Sequence, residues 1–149
     1  MRVEIIPCLQ DNYSYLLIDD SNKSACVLYP GEAKKINKKL KNKNINLKYI
    51  LNTHHHFDHI GGNKELKKKF GSTVVGFKED KNRIPGIDIW LEDNPQCKAE
   101  NFIAKLIHIP WHTMGQLCFN FFHEKLVFTG ETFFFMVCGR TLELTEQNL

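Results

Sequence analysis

Leu47-Lys48-Tyr49-Ile50-Leu51-Asn52-Thr53-His54-His55-His56-Phe57-Asp58-His59 is the stretch on which the fold turns. Leu47 to Leu51 is a short apolar run, the form of a buried strand. Thr53 to His59 follows at its end, where α/β sheets place ligands and catalysis. Within it, His54, His56, Asp58 and His59 stand at His-x-His-x-Asp-His spacing. In an extended segment, residues two apart point the same way, so His54 and His56 can grip one ion together. The chain then turns, and Asp58 with His59 can face a second. Imidazole nitrogens bind Zn²⁺ at ~2.0–2.1 Å and carboxylate oxygens at ~2.0–2.2 Å. Four clustered titratable groups with no ion to hold would be costly to bury.

One loop cannot close such a site. His112 follows an alternating strand and precedes Gly115, which allows a close turn, and it is the next candidate ligand. Glu131 follows another strand and Gly130, and a carboxylate there can bridge two ions. His55 alternates away from the ligands and reads as support or packing. His108, in a strand, and His123, in a turn, read as structural.

Outward from this loop the chain alternates between the two periodicities. Val3 to Ile6, Tyr13 to Ile18 and Ala25 to Leu28 read as strands separated by Asp11-Asn12 and Asp19-Asp20-Ser21-Asn22 turns. Glu32 to Leu40 has helical spacing at Ala33, Ile36 and Leu40. Asn63 is the expected N-cap of a helix through Phe70, followed by a strand at Thr73 to Val75. Lys78 to Pro95 is rich in turn formers and is expected to be a surface excursion. Phe102 to Ile109 reads as a strand, and Leu117 to Phe122 with Leu126 to Thr129 as a hairpin. The pattern predicts one α/β domain over 1–149, a sandwich whose second half is only begun.

Composition narrows the classes. At 149 residues and 42% hydrophobic, the chain can bury a core of roughly two-thirds of its unfolded surface. No apolar window approaches the ~18 residues of a membrane span. Met1 to Pro7 is too soon broken for a signal peptide, which makes the cytoplasm the default location and a membrane partner unexpected. The net charge of +3 resides mainly in lysine runs, Lys34 to Lys43 and Lys64 to Lys69, on expected helices. They lack arginine and interleaved aromatics, which argues against nucleic acid. The five cysteines form no C-x-x-C pair and read as reduced, buried thiols.

Several segments carry a resemblance. Asp11-Asn12-Tyr13-Ser14-Tyr15-Leu16, the run from Thr53 through Asn63, Arg83-Ile84-Pro85-Gly86-Ile87-Asp88, and Phe128-Thr129-Gly130-Glu131-Thr132 through Cys138-Gly139-Arg140 resemble glyoxalase II, hydroxyacylglutathione hydrolase, in order and spacing. The histidine motif alone marks only the metallo-β-lactamase superfamily; the flanking segments narrow it. The resemblance implies a metallo-β-lactamase-type αββα sandwich and a site for two Zn²⁺ ions, with Fe or Mn as alternatives. It implies hydrolysis of a glutathione thioester, S-D-lactoylglutathione, in methylglyoxal detoxification. It assigns His54, His56 and His112 to one metal, Asp58 and His59 to the other, Glu131 to the bridge, and Arg140 to the glutathione carboxylate. Asp58 would also orient the attacking hydroxide.

The match breaks at named places. Glu131 replaces an Asp, Tyr29 stands where Asp commonly precedes Pro30, and Gln116 replaces a His. Thr141-Leu142-Glu143-Leu144 departs from the usual aromatic-Glu-Gly run. The resemblance also implies a further metal-binding His and a helical glutathione-binding domain beyond residue 149. Three rival readings follow: a degenerate, non-catalytic metal-binding fragment, a persulfide dioxygenase-like protein with one iron, and a metallo-β-lactamase proper. Two His plus a carboxylate with open positions suit Fe(II).

Overall fold

Residues 2–28 fold as a meander because apolar residues alternate and turn formers separate the runs. β1 (Arg2–Cys8), β2 (Asn12–Asp19) and β3 (Ser24–Leu28) pair antiparallel in sequence. The computed structural model describes residues 1–41, 43–92, 96–134 and 137–138, with 133, 134, 137 and 138 described by backbone alone. After β3, α1 (Ala33–Leu40) crosses over to β4 (Asn46–Leu51), which lies parallel to β3. A helical turn, α2 (Phe57–Ile60), and α3 (Asn63–Phe70) lead to β5 (Thr73–Phe77), parallel to β4. β6 (Ile89–Leu91) adds parallel to β5 and completes a six-stranded sheet in sequence order.

This sheet is buried on both faces, and neighbouring side chains along a strand serve opposite faces. Leu16 and Ile18 of β2 pack with Ile36 and Leu40 of α1 and Leu66 of α3. Leu17, between them, packs instead with Phe102, Leu106, Phe119 and Phe121 of a second sheet. That second sheet is antiparallel, β10-β9-β8-β7, built from β7 (Gln96–Ala99), β8 (Phe102–His108), β9 (Leu117–Phe121) and β10 (Leu126–Phe128). β11 (Phe133–Phe134) and β12 (Val137–Cys138) form a separate hairpin. The described layers are therefore helix, sheet, sheet. Ile107 and Val127 of the second sheet are exposed, and no helix among the described residues covers that face.

Three expectations change. The 78–95 stretch is not a mere surface excursion: Asp80 and Ile84 are buried, and Ile89 to Leu91 extend the sheet. The N-cap of α3 is Gly62, and Asn63 is its first, buried residue. Part of the ligand loop, Phe57 to Ile60, is helical. Cys8, Cys26, Cys97 and Cys118 are free, buried thiols, and burial raises Cys97 and Cys118 to about 11. No described helix is long and apolar enough to cross a membrane.

Candidate metal centre

The site lies at the carboxyl end of β4, between the edges of the two sheets. Asn52 N–H donates to Val75 O, and Leu117 N–H donates to Thr53 O, so the ligand loop is tied to both sheets before its first histidine. His112 stands on the loop after β8, which Ile109 N–H closes by donating to Gln116 O. Glu131 follows β10 on a tight turn, with Gly130 at φ +60°. Three long-separated segments thus meet because each ends a strand on the same rim of the sandwich.

His54, His56 and His112 offer ring nitrogens that lie within 4.8 Å of one another, and the ring nitrogens of His54 and His59 lie as close to each other and to a carboxylate oxygen of Glu131. The ring centroids of His54, His56 and His112 are 4.7–5.1 Å apart in edge-to-face pairs. His54 is fully buried, and its Nδ1 pairs with Thr53 Oγ1 at 3.1 Å. Its Nε2 is buried with no hydrogen-bond partner. Burial, then the neighbouring His59, His56 and His112, holds the His54 pKa far below the usual imidazole range. With its proton on Nδ1 toward Thr53, a neutral His54 would offer the unpartnered Nε2 lone pair to a cation. Buried polar atoms without partners are few in native structures and call for an explanation of this kind. Burial also lowers His56, helped by His112. The donor set of imidazoles and carboxylates suits zinc and iron.

The other side of the cluster carries its own charges. Glu131 Oε1 lies 3.0 Å from His59 Nε2, and its Oε2 lies 2.9 Å from His112 Nε2. Asp58 Oδ2 lies 3.3 Å from His59 Nε2 and accepts a hydrogen bond from Asn12 Nδ2 at 2.6 Å. Burial opposes a charge on His59, but its hydrogen bonds to Asp58 and Glu131 outweigh that and raise its pKa. The same contact with His59 lowers both carboxyls, Asp58 strongly.

Of the seven residues singled out from sequence, six meet here. His54, His56 and His112 form one group; His59 and Glu131 form the second with His54. Asp58 adjoins the second through His59 but belongs to neither group. Arg140 lies outside the described residues. His55 takes a supporting place: its Nδ1 is 3.3 Å from Asp80, a buried carboxylate that also pairs with Arg83 Nη2 at 2.6 Å. A Cβ on Gly115 would come within 2.5 Å of Asp80 Oδ1, so glycine is needed where the His112 loop crosses Asp80. Sequence reasoning missed Asn12 and Asp80. Asn12 looked like a turn residue, and Asp80 lay in a stretch expected on the surface.

Residues 13–145 match the family model described as Metallo-beta-lactamase superfamily, and the chain belongs to that superfamily. Within it, the chain is similar to the hydroxyacylglutathione hydrolase of Pelagibacter ubique, with 57% identity over 97% of this chain. The chain spans 61% of that relative's length. Among solved structures it is similar to BLEG-1 B3 metallo-β-lactamase, with a TM-score of 0.86 at 24% identity over 93% of this chain and 76% of the other. TTHA1623 in a di-iron-bound form gives a TM-score of 0.75 at 20% identity, over 91% of this chain and 74% of that one. At these identities the structural likenesses establish the fold.

Proposed function

We propose that this chain carries the metal centre of a thioester hydrolase of the hydroxyacylglutathione hydrolase type, acting on S-D-lactoylglutathione. The observation that carries the reading is the grouping of His54, whose buried Nε2 has no hydrogen-bond partner, with His56 and His112, beside the paired His59 and Glu131. The 57% identity to a hydroxyacylglutathione hydrolase supplies the substrate class.

His54, His56 and His112 would hold one cation, and Asp58, His59 and Glu131 would serve a second, with zinc proposed and iron or manganese as alternatives. When bound, such a cation supplies Lewis acidity for a carbonyl oxygen and lowers the pKa of water to about 7. The chain's own residues do the rest. Thr53 orients His54 through Nδ1, leaving Nε2 inward. Asn12 holds one oxygen of Asp58, whose depressed pKa keeps it ionised and able to orient an attacking water by accepting its hydrogen bond. As the C–S bond of the thioester breaks, the leaving group is a thiolate whose conjugate-acid pKa is ~8.5, so no strong general acid is required. Arg140 is proposed to meet the glutathione carboxylate.

Loading the protein with zinc and following S-D-lactoylglutathione hydrolysis tests the reading. Turnover that vanishes in His112→Ala is the expected result. Metal bound without turnover would favour the non-catalytic binding fragment. Oxygen consumption with a glutathione persulfide in the iron form would favour the dioxygenase, which fits less well because the similar curated proteins are hydrolases.

A further inference from the structure

Three places where the sequence departs from its resemblance, Tyr29, Gln116 and Glu131, converge on one turn. Tyr29 follows β3 in the first sheet, yet its hydroxyl accepts a hydrogen bond at 2.9 Å from Gly130 N–H, 101 residues away. Its ring sits edge-on to His59, with centroids 4.9 Å apart. Tyr29 holds the left-handed conformation at φ +55°, which non-glycine residues rarely adopt. Its carbonyl fixes that conformation by accepting from Ser14 Oγ at 2.6 Å and from Gly31 N–H at 2.8 Å. A backbone held this firmly away from its relaxed state at a site edge points to a task for the side chain.

Gln116 grips the same turn from the opposite side. Its Nε2 donates to Thr129 O at 3.0 Å and to Thr132 Oγ1. Gly130 is pressed close enough that a Cβ there would lie 3.0 Å from Thr53 Oγ1, the atom that orients His54. The turn 129–132 therefore cannot shift without breaking contacts to Tyr29 or Gln116. Its one projecting carboxylate, Glu131, reaches both His59 and His112. Glutamate is longer than aspartate by one methylene, and metal-ligand distances are tolerated within about ±0.2 Å. A longer arm needs a turn held in a fixed place.

We infer that Tyr29 and Gln116 are positioning residues for Glu131, and that the three act as one unit presenting its carboxylate between His59 and His112. The inference rests on the metal reading above for its effect on affinity, and on contacts alone for its effect on folding. Such supporting partners are worth ~10–100-fold in metal affinity.

The test is a double-mutant cycle of Tyr29→Phe with Glu131→Gln, measured twice on the full chain. One readout is Co²⁺ affinity and its absorption spectrum; the other is the unfolding equilibrium of the metal-free protein. Tyr29→Phe alone should weaken Co²⁺ binding at least ~10-fold with an altered spectrum, and far less in the Glu131→Gln background. The metal-free cycle should be non-additive as well. If Tyr29→Phe does not fold, Gln116→Leu with Glu131→Gln decides in its place, with the same expectation. Additive effects in both readouts would overturn the inference. Were the unmodified chain to bind no Co²⁺, the metal reading would fail, and the metal-free cycle would still decide whether the three residues are coupled.

Discussion

The two sides of the metal centre are built on opposite electrostatic plans. On the imidazole side, His54, His56 and His112 are crowded and buried, and His54 is kept neutral with one nitrogen unpartnered. On the carboxylate side, His59 is flanked by Asp58 and Glu131 and drawn toward its protonated form. The first side gains its missing partner only when a cation enters. The second is already a hydrogen-bonded network of His59 with Asp58 and Glu131, and a cation entering it must displace existing contacts. The difference implies an order of filling: the imidazole side first, the carboxylate side second and more weakly. His54 ties the two sides together, because it is common to both ligand groups while its Nδ1 pairs with Thr53.

The largest effect is expected from His54→Ala. Removing the shared nitrogen should lower affinity for the first Zn²⁺ by more than the ~100-fold that supporting residues reach. Competition against a chelator measures it, and a loss confined to the second equivalent would show that the two sides do not share His54. Glu131→Gln sharpens the contrast from the other side. It should weaken the second equivalent by ~10–100-fold while changing the first little, as read by two-phase titration calorimetry. Equal losses at both equivalents would mean that the sides are one indivisible site.

Asn12→Ala reaches the carboxylate side indirectly. Freeing Asp58 Oδ2 from its 2.6 Å hydrogen bond should cost ~10-fold at the second equivalent and in turnover, leaving the first equivalent unchanged. Direct loss of the first equivalent would place Asn12 in a different role.

Proton linkage in the metal-free protein should pull the two sides in opposite directions. His54 has a depressed folded pKa, so below ~6.5 the unfolded chain binds the proton that the fold refuses, and stability falls with falling pH. His59 has a raised folded pKa, so its contribution is fully present below ~6.5 and is lost as pH rises through the folded value. His54→Gln should therefore lose less stability than the parent between pH 7 and 5.5, and His59→Gln should lose more. Neither effect exceeds ~1.4 kcal/mol per pH unit; that of His54 accrues below ~6.5, and that of His59 between ~6.5 and its raised folded value. Unfolding curves at the two pH values check it, and parallel slopes for both variants would remove the contrast.

Sequence alone exposed the imidazole side almost completely and the carboxylate side only in part. His54 and His56 announce themselves by period-2 spacing after a strand, and His112 and Glu131 by a strand followed by glycine. Those are local patterns, and local patterns survive in a single sequence. Tyr29 against Gly130, Asn12 against Asp58 and Gln116 against Thr132 are contacts between residues far apart in the chain. Nothing in the composition near any of them records the partner. Tyr29 and Gln116 stood out only as departures from a resemblance, until the fold brought them to one turn. The same limit explains the 78–95 stretch. Its turn formers pointed to the surface, but Asp80 is buried against His55 and Gly115 from separate segments and pairs with Arg83 of its own.

The central claim is that His54, His56 and His112 form one preformed cation site at the rim of the two sheets. The most direct measurement is a Co²⁺ titration of the metal-free chain, followed by visible absorption, beside the single His54→Ala, His56→Ala and His112→Ala variants. The account predicts a first equivalent with a ligand-field spectrum in the parent that is lost or grossly altered in all three variants. A first equivalent that binds unchanged in any one of them would contradict it.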